Sequence, residues 1–218
     1  MPLDRATMVR SALDLLDEVG LDGLTVRRLA ERLGVQNPAL YWHFKNKREL
    51  LNEMARDMLA DAFGDIEPTA ADELWPDWLA GIAERFRDAL LTHRDGARVI
   101  ASADLTASAL QEVQEKALGV LTAAGLALRT AVMGVVAVFD YTLGAAFEEQ
   151  AERDATTRAG SDGGGPRLLV HDPARFPRLT AAVEDLTATV TADPDAVFKG
   201  GIRLLVAGMV AAQNAANA

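Results

Sequence analysis

The 218-residue chain has no cysteine. That excludes disulfides, thiolate metal sites and cysteine nucleophiles, and it fits a reducing, cytoplasmic setting. Only three histidines occur, His43, His93 and His171, and none stands in an H-E-x-x-H pattern. There is no G-x-S-x-G either, so no enzyme, cofactor or metal centre is expected. The stretch SDGGGP (161–166) lacks the strand and the Lys-Ser/Thr of a phosphate loop and reads as a plain loop. Alternating strand patterns and internal repeats are also missing. The most apolar run, 131–147, carries Asp140. It falls short of the roughly 20 residues that span a bilayer, so a buried helix and no membrane partner are expected. The N-terminus alternates charged and apolar residues too regularly for a secretory leader.

Aromatic residues make up only 6% of the chain, yet Tyr41, Trp42, His43 and Phe44 are consecutive and run into Lys45, Lys47 and Arg48. Net charge shows the same unevenness. The whole chain carries −10, while residues 23–48 hold six cations against the single anion Glu31. Such asymmetry points to a local anionic partner or to a solvated helix face, and composition does not choose between them.

Helical spacing fills almost the whole sequence, so the fold class is all-α. Apolar residues from Ala6 to Val19 recur at helical intervals, and Gly20 follows where a left-handed cap would sit. Thr25 can cap a short helix that Gly34 ends. Asn37-Pro38 opens another, with proline in the first turn. Asn46 with Glu49 approximates a capping box for a helix over 46–63. Further helices are expected at about 75–93, 107–124, 128–152, 178–190 and 194–213. Between them the chain breaks near 64–74 and weakens over 153–175.

Two short helices joined by a tight turn form a helix-turn-helix pattern. Ala30 is small where helices cross, and Val35 and Leu40 are apolar where the second helix docks. Gln36, Asn37 and Tyr41 lie at its exposed start, where side chains reach base edges in the major groove. Asn37 could serve instead as a cap. Arg27 and Arg28 can reach backbone or guanine, and Lys47 with its helix N-terminus can bind one phosphate. Trp42 and Phe44 read as a hydrophobic hinge or as stacking platforms, and His43 as a phosphate contact or hinge residue.

The segment LTVRRLAERLGVQNPALYWHFKNKREL resembles the DNA-binding head of the TetR family of bacterial repressors, and FRDALLTHRDGARV (86–99) and FDYTLGAAFEEQ (139–150) resemble parts of its ligand-binding body. The resemblance covers residues 5–152 and the remainder in helix pattern only. It implies a three-helix head (1–48), a larger helical-bundle body for effector binding and dimerisation (49–218), and a homodimer on palindromic double-stranded operator DNA. It also implies a small-molecule effector that releases the DNA. The helices at 178–213, or these with 128–152, would pack against a second copy, helped by Gly134, Ala137, Gly144, Ala145, Gly200, Gly201 and Gly208. In the head, the family pattern puts Thr25, Arg27, Arg28, Gln36, Asn37, Pro38, Tyr41, Trp42, His43 and Lys47 at the DNA.

The chain departs from the family's magnesium–tetracycline binders where their metal-ligating histidine is replaced by Ile100 and their pocket asparagine by Ile82. An alkyl group cannot replace an imidazole in coordination. The expected effector region is therefore largely apolar: Phe63, Ile82, Phe86, Ile100, Leu105 and Phe139, with Lys116, Asp140 and Glu148 as polar anchors. The same residues would equally suit a bundle core. Asp140 interrupts an apolar helix, so it has a partner, faces a ligand or reaches solvent. A DNA-binding protein whose body only dimerises is the remaining alternative.

Overall fold

The computed structural model describes residues 4–64, 66, 74–104, 108–159, 172–193 and 195–216. Within them the chain forms ten helices and no strand. They are α1 (Arg5–Gly23), α2 (Val26–Leu33), α3 (Asn37–Tyr41), α4 (Lys47–Phe63), α5 (Trp75–Thr92), α6 (Gly96–Ser102), α7 (Ser108–Ala123), α8 (Leu128–Ala159), α9 (Pro177–Ala192) and α10 (Ala196–Ala216). The all-α expectation holds. SDGGGP, His171 and Leu105 lie outside the described residues.

Capping chemistry sets the head. Asp4 Oδ1 accepts from the Thr7 amide at 2.7 Å and starts α1. The chain bends at Gly20, where φ is +69° and ψ 172°, a region essentially closed to residues with a Cβ. The expected end at residue 19 is therefore a bend, and helical turns continue to Gly23. Thr25 caps α2 through the Arg28 amide. Gly34 ends it at φ +67°, with Val35 N–H returning to the Ala30 carbonyl. Asn46 caps α4 by accepting from Glu49 N–H at 2.9 Å, whereas the Glu49 carboxylate reaches the Lys45 amide and not that of Asn46. The capping box is thus shifted by one residue.

Leu16, Leu24, Leu29, Leu40, Phe44 and Leu50 are fully buried together where α1–α4 meet, each worth about 1.5–3 kcal/mol relative to exposure. Arg5 closes this core. Its guanidinium lies 5.3 Å from the Phe44 ring centroid and pairs with Glu49 and Glu53. In the body, α8 packs on α5, α6, α7 and α10, and α4 joins the two halves by touching α1, α5, α6 and α7. Arg87 is buried within the bundle, bonded to Glu149 (2.7 Å) and Asp195 (3.0 Å) and stacked on Phe198. It holds α5, α8 and the start of α10 together.

The expectation of a buried helix over 131–147 needs correction. The run belongs to a helix of 32 residues, and α8 and α10 are both long and apolar enough to cross a membrane by length and composition. Their apolarity comes from two faces. One lies in the core, and the other leaves Val132, Met133, Val136, Phe147, Val197 and Leu204 exposed.

The glycines of α8 and α10 divide accordingly. A Cβ at Gly134 would strike Met209, and one at Gly201 would strike the Tyr141 hydroxyl, whereas Gly144, Gly200 and Gly208 face open space. Gly201→Ala should lower stability by about 1–3 kcal/mol through forced repacking of Tyr141. Gly119→Ala on α7, where nothing lies within 4 Å, should raise it by about 0.5–1 kcal/mol. Thermal unfolding of the two variants measures both signs.

Candidate nucleic-acid interface and effector region

α3 is five residues long and has one buried residue, Leu40. Since successive helical residues turn by about 100°, Trp42 comes out nearly opposite Leu40. It is 88% exposed, and Tyr41 is 53% exposed. The hinge reading of Trp42 is therefore corrected. Phe44, 1% exposed, alone fills that place. Gln36, Asn37, Pro38 and Ala39 are exposed beside Tyr41, so α3 presents a continuous outer face. Gln36 takes the N-cap position without a side-chain cap bond. This leaves Asn37 within the helix rather than as its cap, with its side chain exposed.

The cations around this face are partly engaged. Arg27 pairs with Glu31 at 3.0 Å on an exposed helix face, while Arg28 donates to the Gly23 carbonyl. Arg32 pairs with Glu18 at 2.7 Å, which raises its pKa. Lys47, expected to offer its ammonium outward, donates instead to the Leu21 carbonyl at 2.7 Å. Lys45 is exposed next to the half-buried His43, whose ring lies 6.5 Å from that of Phe44. Thr25 Oγ1 is occupied as the α2 cap.

The junction between head and body is what sequence reading missed. Asp95, with φ +58° just before α6, is buried, and its Oδ2 accepts the Leu21 N–H at 2.7 Å. Its Oδ1 accepts from Arg98, which also grips Asp22 at 2.9 Å. Asp17 accepts from the Arg94 amide and contacts His93 Nδ1 at 2.9 Å. From α8, the Gln150 amide donates to the Leu90 and His93 carbonyls and accepts from the Ala97 N–H. Asn52 on α4 accepts from the Asp104 amide. The segment 93–104 is thus bonded to α1, α4 and α8 at once. The partners on α1 lie 74 to 77 residues away and those on α4 and α8 lie 52 to 60 residues away, so none of these bonds is marked by local spacing in the sequence.

In the effector region, Phe63, Phe86 and Phe139 form a column, with centroids 5.4 and 5.0 Å apart. Ile100 is fully buried and Ile82 partly buried in the same core. Lys116 donates to the Ile66 carbonyl at 3.0 Å. Glu148 is half-buried. Asp140 is exposed on the outer face of α8 and does not join the aromatic column, which corrects its expected place as a polar anchor. Among the described residues no three His, Asp or Glu side chains converge as a metal site.

Residues 9–54 match the family model for bacterial regulatory proteins of the tetR family, and residues 67–213 match that for the tetracyclin repressor-like C-terminal domain. The chain belongs to the TetR family. The class A tetracycline repressor from Escherichia coli is 44% identical over 93% of this chain and 88% of its own. A class A TetR solved with 5a,6-anhydrotetracycline and magnesium aligns with TM-score 0.69 and 36% identity over 95% of this chain and 98% of that one. ActR from Streptomyces coelicolor, solved with actinorhodin, aligns with TM-score 0.79 and 26% identity over 98% and 99% of the two chains. This TetR-family member is therefore a DNA-binding transcriptional regulator with a ligand-binding domain. Its relatives are regulators and no enzymatic family is indicated.

Asp95→Ala would leave the buried Leu21 N–H without an acceptor, at a cost of about 1–3 kcal/mol. Hydrogen exchange at the end of α1 should accelerate accordingly. The Arg98 side chain, by hydrogen bond and by charge, holds the Asp22 carboxyl below its ordinary pKa. The unfolded chain then binds the proton more readily, so this contribution is complete above about pH 4 and is lost as pH falls through the lowered value. Thermal melts from pH 5 down to pH 3 should show a shallower decline for Asp22→Asn than for the unaltered chain.

Proposed function

We propose that this protein is a cytoplasmic repressor that binds a palindromic operator as a homodimer and is released from it by a small, largely apolar effector. Residues 1–48 act as the reading head and 49–218 as the effector-binding and dimerisation body. The observation that carries the reading is the outer face of α3. Gln36, Asn37, Pro38, Tyr41 and Trp42 stand exposed on a helix fixed from behind by Leu40 and Phe44. Amide side chains suit adenine edges, and the aromatic rings suit thymine methyls and the sugar–phosphate backbone. Arg27, Arg28, His43 and Lys47 flank that face, with Thr25 fixing α2 beside it. A bound phosphate would compete with the Leu21 carbonyl for the Lys47 ammonium, which has three protons to give. The apolar faces of α8 and α10 are the dimer surface, so that two heads meet half-sites on one side of the duplex.

The nature of the effector follows from the donor set. The class A structure carries 5a,6-anhydrotetracycline with magnesium and ActR carries actinorhodin, so the shared fold leaves the ligand open. Here Ile100 is buried in the same core as Ile82 and the aromatic column. Neither alkyl group offers a lone pair to a cation, and the residues present do not fit a magnesium–tetracycline complex. α6 holds Ile100 in the core and, at its start, the Asp95–Leu21 bond to the head. A ligand that prefers one placement of α6 would bias the heads by its difference in affinity between the two placements.

The test is titration of purified protein onto DNA from upstream of its own gene across salt concentrations. Tight, sequence-selective binding with a steep salt slope is expected. Tyr41→Ala should weaken it by about tenfold or more and leave the oligomeric state unchanged. Affinity unaltered by Tyr41→Ala would remove α3 from the interface. Release by a candidate effector should be the same with and without a magnesium chelator.

A further inference from the structure

α6 does not use the cap that its sequence offers. Asp95 stands at the N-cap position, and an aspartate there ordinarily turns its carboxylate onto the amide two or three residues on. Here it makes no such bond. With φ at +58°, its carboxylate serves the Leu21 amide through Oδ2 and the Arg98 guanidinium through Oδ1. The Ala97 amide, second in the helix and within the reach of a capping aspartate, is accepted instead by Gln150 Oε1 from α8 at 3.1 Å. The same side chain meets a second need. The Arg94 amide, which would close on the Leu90 carbonyl at the end of α5, is taken by Asp17. Gln150 Nε2 donates to that carbonyl at 2.8 Å and to the His93 carbonyl at 2.9 Å. Its neighbour Glu149 is held by Arg87 at 2.7 Å, so Gln150 stands on a fixed part of α8.

We propose that Gln150 is a positioning residue: by accepting the Ala97 amide it caps α6 in place of Asp95, and so leaves the Asp95 carboxylate to hold the head through Leu21. The carboxylate has two uses that exclude each other. In one, Asp95 stays in the sparsely populated left-handed region and bonds Leu21. In the other, it relaxes to extended backbone, caps its own helix and releases the head. Backbone preference and capping both favour the second arrangement. Gln150 tips the balance to the first, because it makes a cap from Asp95 redundant. A displacement of α8 against α6 that withdraws the Gln150 oxygen therefore returns Asp95 to its own helix and loosens the head. This rests on the reading of α6 as the link between body and head, and adds the side chain that sets the link and the state to which it reverts.

Amide hydrogen exchange at Leu21 and titration onto DNA from upstream of the gene test this, on the full chain and on Q150E, Q150K, D95A and Q150K/D95A. Glutamate keeps an acceptor for Ala97, whereas lysine keeps only donors. Q150K should speed Leu21 exchange by about tenfold or more, as D95A does, while Q150E should stay nearer the unaltered chain. DNA affinity should fall in Q150K and D95A alike. The double variant should lose no more than D95A alone, since both changes break one bond. If circular dichroism shows Q150K unfolded, Q150A removes the acceptor without adding charge and carries the same expectation. Losses that add in the double variant, or acceleration spread evenly over the core amides of α5 and α8, make Gln150 a general brace and overturn the proposal. Faster Leu21 exchange in Q150E than in Q150K places the effect in the donated bonds and overturns it as well. Leu21 exchange that responds as expected while DNA affinity stays unchanged upholds the role of Gln150 and removes α6 as the link between body and head.

Discussion

The buried hydrogen bond from the Leu21 amide to the Asp95 carboxylate is the constraint on which the arrangement of head and body depends. An amide at a helix bend needs an acceptor once it leaves water. Here the acceptor arrives from a segment more than seventy residues away. The bend exists because Gly20 can take its positive φ, and a Cβ there would come within 3.0 Å of the same carboxylate oxygen. Asp95 in turn accepts a left-handed conformation to reach Leu21, a small strain held by Arg98 and by the close packing of Gly96 against the Leu90 carbonyl.

Around that bond the polar contacts between head and body form a cluster rather than a scatter. Asp17, Asp22, Arg94 and Arg98 surround it, and Lys47 takes the neighbouring carbonyl of Leu21. The cluster lies at the solvent edge, where single ion pairs contribute little, so the buried Asp95 contact carries the larger share of the coupling. Gln150 then connects the same segment to α8. One short stretch of chain thereby links the head to the aromatic column and to the helix whose outer face is proposed to meet a second copy.

Much of the head was legible in the sequence because its determinants are local. Thr25, Gly34, Asn46 and Pro38 act on amides within a few residues of themselves, and each stands where cap and turn chemistry place it. The core faces of α1 and α4 follow from spacing alone. Trp42 was misread for a physical reason: a hydrophobic indole in a row of aromatics looks like core, and only the phase of a five-residue helix set by Leu40 turns it outward. Lys47 was read as a free cation because its partner, a backbone carbonyl at the end of α1, leaves no mark in the sequence. In the body, Phe63, Phe86 and Phe139 were grouped as one apolar region and do form one column, yet Asp140 was drawn into it although α8 turns it out to the surface.

What the sequence by itself determined is therefore what nearest neighbours decide: all-helical structure, the capped turn, the family and the absence of thiol chemistry. Tertiary structure alone decided which face of each helix is used. It turned α8 so that one apolar side meets α5 and α10 while the other remains exposed, and it brought Asp95 to Leu21. These outcomes depend on the rotation of each helix about its axis. That rotation is fixed by packing against elements distant in sequence, and a one-dimensional pattern with two apolar faces does not specify it.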